Sequence, residues 1–236
     1  MNRLNRICIV KNSNIKHSSN LGWVSTNWSG YAISGQKNDF RKISANWTVP
    51  FVRSSSQNSY SSVWIGIDGF RNSSLIQTGT GHDFIDGKAN YYAWWEILPQ
   101  AMTLIPKPVH PGDHMKAVIS KVTGSTWLIS LRNTSRNWVF RIIKRYSGPQ
   151  TSAEWIVEAP QVGASITRLA RISNVYFTGC RLNGKSPNLT TVNRGNMMQS
   201  SSATSIPGKP NAAGDAFVVT NQIGRASGPV RKLTRP

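Results

Sequence analysis

Short runs of β-branched and aromatic residues, each stopped by Gly, Pro, Asn or Asp, occupy almost the whole middle of this chain. The runs are Lys42 to Val49, Ser61 to Ile67, Ala89 to Ile97, His114 to Val122, Thr126 to Leu131, Trp138 to Tyr146, Ser152 to Glu158, Ala170 to Phe177 and Ala216 to Thr220. The stops include Pro50, Asp68-Gly69, Gly79, Asp86-Gly87, Pro111-Gly112-Asp113, Gly124 and Gly214-Asp215. Tight turns can join antiparallel strands only, because parallel neighbours need long crossovers. Many short strands with turn signals between them therefore predict an all-β antiparallel sandwich or barrel. One short segment, Ala164 to Arg171, reads as a helix, although its apolar residues do not follow a 3.6-residue period. Residues 23–221 are expected to form a single β-sandwich domain. They are flanked by a basic extension over 1–22 and a flexible basic tail over 222–236.

Charge narrows the class without deciding it. The chain carries 28 Lys+Arg against 9 Asp+Glu, a formal net charge of +19. Such a balance favours nucleic acid, anionic lipid or acidic polymers as partners. Charged residues nevertheless make up only 16% of the chain, so the unusual feature is missing carboxylates rather than added cations. Acid unfolding is largely the protonation of native carboxylates, so a chain with few of them is compatible with acid conditions. No apolar run is long enough for a membrane-spanning helix. The run Ile7-Cys8-Ile9-Val10 is too short for a secretory signal core. Two cysteines, Cys8 and Cys180, cannot build a disulfide framework and are expected to be free thiols.

The search for chemistry then reduces to nine carboxylates. Of the six aspartates, Asp68, Asp86, Asp113 and Asp215 each adjoin a Gly, as turn residues do, Asp39 sits in a polar stretch, and Asp83 is the sixth. Glu96, Glu154 and Glu158 all lie inside expected strands, where Glu is disfavoured. Departures from local rules of this kind tend to mark function. Period-two alternation puts Tyr92, Trp94, Glu96 and Leu98 on one sheet face, and Glu154, Ile156 and Glu158 on one face. Carboxyl groups among aromatics suit a ligand-binding surface; a half-exposed face that merely meets water fits the composition equally well.

Other chemistries find no support. His110 and His114 are four apart, but the intervening Pro-Gly rules out a shared helical face for zinc. There is no G-x-S-x-G elbow, no P-loop and no G-x-G-x-x-G. His17, His82, His110 and His114 read as loop or surface residues. Arg141-Ile142-Ile143-Lys144-Arg145 is the densest basic stretch on a strand, and it reads as a solvated face rather than an RNA-binding motif.

Seven segments in order carry a resemblance. They are Asn27-Trp28-Ser29-Gly30-Tyr31, Ala45-Asn46-Trp47-Thr48-Val49-Pro50, Trp64-Ile65-Gly66-Ile67-Asp68-Gly69, Leu75-Ile76-Gln77-Thr78-Gly79, Tyr91-Tyr92-Ala93-Trp94-Trp95-Glu96, Pro111-Gly112-Asp113 and Ala153-Glu154-Trp155-Ile156-Val157-Glu158. Together, from about Asn27 to Thr220, the chain resembles the glutamic peptidases, or eqolisins, a family of acid-acting endopeptidases. The resemblance implies a two-sheet antiparallel β-sandwich of concanavalin-like type with a concave active face. It implies catalysis by Gln77 and Glu158, without metal or cofactor. It places Trp94 and Glu96 in the cleft, with Asp68 supporting the site; Trp28, Gly69 and Gly79 of the same motifs are taken as substrate-binding. The chain departs from fungal members in Ile97-Leu98, where they carry aromatic residues, and in its basic charge.

The residue types suit peptide hydrolysis, which needs a base for water, a donor for the oxyanion and an acid for the leaving amine. A carboxyl group can be base and then acid; an amide donates N–H at any pH. The expected partners are protein or peptide substrates, with nucleic acid disfavoured, for a monomeric protein acting outside the cytoplasm. The competing reading is a glycan-binding or glycan-cleaving sandwich that uses the same Trp/Glu face. A retaining glycosidase needs two carboxyl groups about 5–5.5 Å apart. Glu154 and Glu158, four residues apart on one strand, would be separated by roughly 13 Å.

Overall fold

A computed structural model describes residues 16–18, 22–199 and 202–221. Most of the expected 1–22 extension, the 222–236 tail and Cys8 lie outside the described residues. The strands, in chain order, are β1 Lys16–Ser18, β2 Gly22–Ser25, β3 Trp28–Ser34, β4 Lys42–Thr48, β5 Ser62–Ile67, β6 Ile76–Ile85, β7 Lys88–Ile97, β8 Thr103–Ile105, β9 His114–Thr123, β10 Thr126–Asn133, β11 Trp138–Arg145, β12 Ser152–Glu158, β13 Gln161–Val162, β14 Ser165–Ile166, β15 Val175–Leu182, β16 Arg194–Gln199, β17 Ser202–Pro207 and β18 Phe217–Asn221. All but β13 and β14 belong to one hydrogen-bonded path, whose main order is β11-β10-β9-β4-β15-β18-β17-β16-β3-β12-β5-β6-β7-β8.

That path doubles back on itself. Strands β4, β9 and β10 lie against β5 and β6, and β15 lies against β12, which makes a back layer and a front layer. Ile43, Trp47, Ala117, Ile129 and Leu131 from the back meet Ile65, Ile67, Ala153, Trp155 and Val157 from the front in one continuous core. Alternation explains the choice of residues, since each strand sends every second side chain inward. Two of the buried indoles are tied to the opposite layer: Trp155 Nε1 donates to Ser44 O at 3.1 Å and Trp47 Nε1 to Thr80 Oγ1 at 3.0 Å.

The front layer is buried on its other face as well, and β12 is buried at every position. A second apolar cluster covers that face: Trp23, Trp28, Ala32, Trp64, Phe70, Leu75, Trp94 and Ile156. Trp23 of β2 meets Phe70 of the β5–β6 connection edge-on, with ring centroids 5.2 Å apart.

Three sequence expectations are corrected. No helix forms over Ala164 to Arg171. Gly163, at φ +60°, turns β13 into β14, and Thr167 returns both its N–H and its hydroxyl to Pro160 O, so local side-chain bonding satisfies the backbone instead. Gly79 is not a stop but lies mid-strand in β6. A Cβ there would meet Val63 O at 2.2 Å and Trp64 Cβ at 2.6 Å, so the neighbouring strand requires glycine. His82 is not a loop residue; it lies in β6 and is completely buried. Its ring has Thr80 Oγ1 at 2.8 Å on Nε2 and Ser61 Oγ at 3.4 Å on Nδ1.

Candidate active site

Four strands of the front layer build the site. Pairing register sets Glu154 opposite Gly66, Gly66 opposite Gln77 and Gln77 opposite Glu96, in one row across β12, β5, β6 and β7. The next row on the same face is Ile156, Trp64, Gly79 and Trp94; the one after is Glu158, Ser62, Gly81 and Tyr92. All three glutamates and Gln77 therefore share one face, as period two predicts. Gln77, Glu96 and Glu154 are fully buried and Glu158 is 2% exposed.

Glu158 is held by indole and amide donors. Trp64 Nε1 donates to its Oε2 at 2.7 Å, and Asn27 Nδ2 donates to its Oε1 at 3.3 Å. Trp28, directly across from Glu158 on β3, packs edge-on against Trp64 with centroids 4.9 Å apart. Burial disfavours the charged form, while Trp64, Trp28, Asn27 and Ser62 favour it; the balance pushes Glu158 up to about 7.

Gln77 is oriented by a different carboxyl group. Its Nε2 donates to Glu96 Oε2 at 2.6 Å. Glu96 is pushed up to about 8, first by burial and then by the charge of Glu158, against which the Gln77 amide works. Glu96 and Glu158 thus lie within electrostatic reach. Gln77 Oε1, Glu96 Oε1 and Trp94 Nε1 have no hydrogen-bond partner among the described residues. Buried polar atoms of this kind are expensive unless something satisfies them. Here they share one strand face with Glu158, so an amide-rich ligand has donors and acceptors to meet.

The structure does not bring Gln77 and Glu158 into direct contact. Glu158 is level with Gly81, four positions along β6 from Gln77. At ~3.3 Å per residue the offset is about 13 Å along the strand, which leaves a gap between the two rows. Gly79 lies between their rows and carries no side chain to fill it.

Asp68 and Gly69 form the turn after β5, at φ +69° and +100°. The Asp68 carboxylate accepts from Tyr146 Oη at 2.6 Å, Gln150 N and Thr151 N at 2.8 Å each, and Asn72 Nδ2 at 3.1 Å. Both of its oxygens are taken up by the loop that leads into β12, so it fixes the strand that carries Glu158. Asn27 and Trp64 fall within two of the seven ordered segments, but the sequence assigns neither of them a role. Strand parity was the available signal for Trp64, which falls on the face of Ile156. Asn27 precedes a strand and becomes visible only through the β3–β12 pairing.

Among the described residues no cluster of His, Cys, Asp and Glu is arranged to hold a metal ion. Cys180 is a buried free thiol.

The chain resembles known proteins in both sequence and shape. It is 27% identical over 181 residues to aspergillopepsin-2 of Aspergillus niger, a match covering 65% of this chain and 63% of that relative's length. Its fold superposes on scytalido-glutamic peptidase bound to a transition-state analog inhibitor with a TM-score of 0.71 at 20% identity, covering 84% of this chain and 98% of the other. The aspergilloglutamic peptidase of A. niger matches with a TM-score of 0.57 at 23% identity, over 70% of this chain and 99% of that one. The model of the peptidase A4 family matches residues 26–220, which span every element of the site just described, and the chain belongs to that family.

Proposed function

We propose that this protein is a glutamic endopeptidase that hydrolyses peptide bonds of protein substrates on the acid side of neutrality, using Glu158 and Gln77. The supporting observation is the setting of Glu158: a carboxyl group nearly shut off from solvent, oriented by Trp64 and Asn27, on the same face as the Gln77 amide. In this reading Glu158 takes a proton from the attacking water and later gives it to the leaving amine. Its value of about 7 suits a group that must hold both forms in turn. Gln77, aimed by Glu96, donates its remaining amide hydrogen to the developing oxyanion; loss of one such donor costs about 10²–10³ in kcat. The scissile carbonyl would sit over Gly79, between the two rows. Trp94 and Trp28 would wall the substrate, and Asp68 and Gly69 would act through the loop they brace.

Burial modifies the pH range anticipated from an ordinary glutamate. A base with a pKa of about 7 is mostly protonated in strong acid, so the closed site supports activity in weak acid best. The test is cleavage of a denatured protein from pH 2 to 7 by wild type, Glu158→Gln and Gln77→Ala. Activity abolished by the first and cut ~100-fold or more by the second, with both folds intact, is the expected result. Full activity in Glu158→Gln would end this reading.

A further inference from the structure

The solvent face of the back layer takes no part in the reaction just described, and its chemistry is one-sided. Strands β4, β9, β10, β11 and β15 contain no Asp or Glu. Register places Lys42, Lys116, Arg132, Arg141 and Arg145 on their outward face, and all five are exposed. Lys116 and Arg132 are direct cross-strand partners. Like charges directly opposite destabilise a sheet, so this pairing costs the isolated protein and favours an anion laid over it. The ion pairs among the described residues are Arg136–Asp113 and Arg181–Asp215, so none of the five is paired with a carboxylate.

Between these cations the same face exposes aliphatic side chains. Val139 is 42% exposed, Ile143 61% and Val122 57%. Val139 pairs with Arg132, and Ile143 lies two residues from both Arg141 and Arg145. At the β4–β9 end a cavity of about 400 Å³ is lined by Asn46, His114, Lys116, Tyr176 and Thr178, which offer a cation and several hydrogen-bonding groups. Cations with interspersed aliphatics, on strands that carry no acidic residue, match an anionic lipid surface; the Asp215 carboxylate that reaches this face is taken up by Arg181. The cations meet the phosphates while Ile143 and Val139 enter the acyl boundary. A nucleic acid would instead call for several exposed aromatic stacking residues in a groove; Tyr176 is the single exposed aromatic among the described residues of these strands, and the aliphatics would then have no role.

We propose that this face docks the protein on an anionic bilayer, with the catalytic face turned away toward soluble substrate. Each Lys or Arg near such a surface contributes about 5-fold in affinity at low salt. The full chain is tested by co-sedimentation with phosphatidylcholine vesicles, with and without phosphatidylglycerol, at low and high salt. Binding is expected only to the anionic vesicles and should weaken with salt. Lys116→Gln/Arg132→Gln/Arg141→Gln should bind about 100-fold more weakly, and Val139→Ser/Ile143→Ser should lose the binding that survives high salt.

Cleavage of a soluble protein should match wild type in both variants, and the urea midpoint of the triple variant should equal or slightly exceed that of wild type as the Lys116–Arg132 repulsion is removed, which separates this face from the catalytic reading. If the triple variant does not fold, Arg132→Gln alone should weaken binding about 5-fold. Wild-type binding by a folded face variant would transfer the attraction to cations elsewhere, such as those in residues 1–15 or 222–236, and overturn the proposal. Binding to heparin or DNA but not to anionic vesicles would overturn it too.

Discussion

His82 sets an acid limit on this fold, and the limit can be measured. The ring is completely buried in β6, and desolvation lowers its pKa from 6.5 to about 3. A group whose folded pKa is depressed contributes stability that is complete above the unfolded pKa and is lost as pH falls toward the folded one. The window therefore runs from about 6.5 down to about 3. With 1.36 kcal/mol per pKa unit, His82 alone removes about 2 kcal/mol by pH 5 and about 3 kcal/mol by pH 4, relative to pH 8.

His82→Gln abolishes the titration but forfeits the ring contacts to Thr80 and Ser61, at a cost of about 1–3 kcal/mol near neutrality. The wild type should be the more stable protein at pH 8, with the variant gaining on it at each lower pH. The two stability curves should cross near pH 5. Urea unfolding by linear extrapolation at pH 4, 5, 6, 7 and 8 measures both. Parallel pH dependences in the two proteins would refute the reasoning, because they would mean that His82 does not stay neutral in the fold.

Other perturbations separate the roles of individual groups. Trp64→Phe removes the 2.7 Å donor to Glu158; since that bond favours the carboxylate, the acid limb of kcat/KM should move to higher pH, by about one unit. An unchanged profile would deny Trp64 its part in tuning Glu158. Glu154 is fully buried with neither oxygen hydrogen-bonded, and burial raises its pKa well above the ordinary value. A carboxyl group raised in this way stabilises the fold below its unfolded pKa and loses that contribution as pH rises. Glu154→Gln should therefore be more stable than wild type by about 1–3 kcal/mol at pH 8 and near-neutral at pH 4, read from the same urea titrations; destabilisation at pH 8 would contradict it. Within the candidate dyad, the pH 2–7 cleavage series should rank Gln77→Ala above Glu158→Gln in residual activity, because an oxyanion donor is a partial loss and a proton acceptor a complete one.

Much of this protein was legible in its sequence because β structure repeats every two residues. The boundaries of β12 follow from its run of strand-forming residues, and the shared face of Glu154, Ile156 and Glu158 follows from the two-residue period, as does the grouping of Tyr92, Trp94 and Glu96. Turn chemistry was equally readable at Asp68-Gly69 and Asp86-Gly87, where positive φ angles demand such residues. Strand β6 was hidden for the opposite reason. Gly79 reads as a breaker, yet a side chain there would run into Trp64 on an adjacent strand, as one at Gly81 would run into Tyr92.

The tertiary structure decided the rest. Sequence can place a residue on a face, but only strand order and register determine its neighbours. That is why the partner of Gln77 proved to be Glu96, and why Glu158 came to rest against Trp64 and Asn27, more than 90 residues away in sequence. Burial belongs to the same level. The second apolar cluster over the front layer withdraws the carboxyl groups from water and raises Glu96 and Glu158, a shift that depends on surroundings no local pattern encodes. The sequence by itself determined which residue types stood ready for chemistry; the packing of two β layers and the cover over one of them decided their protonation, because desolvation is a property of the assembled fold.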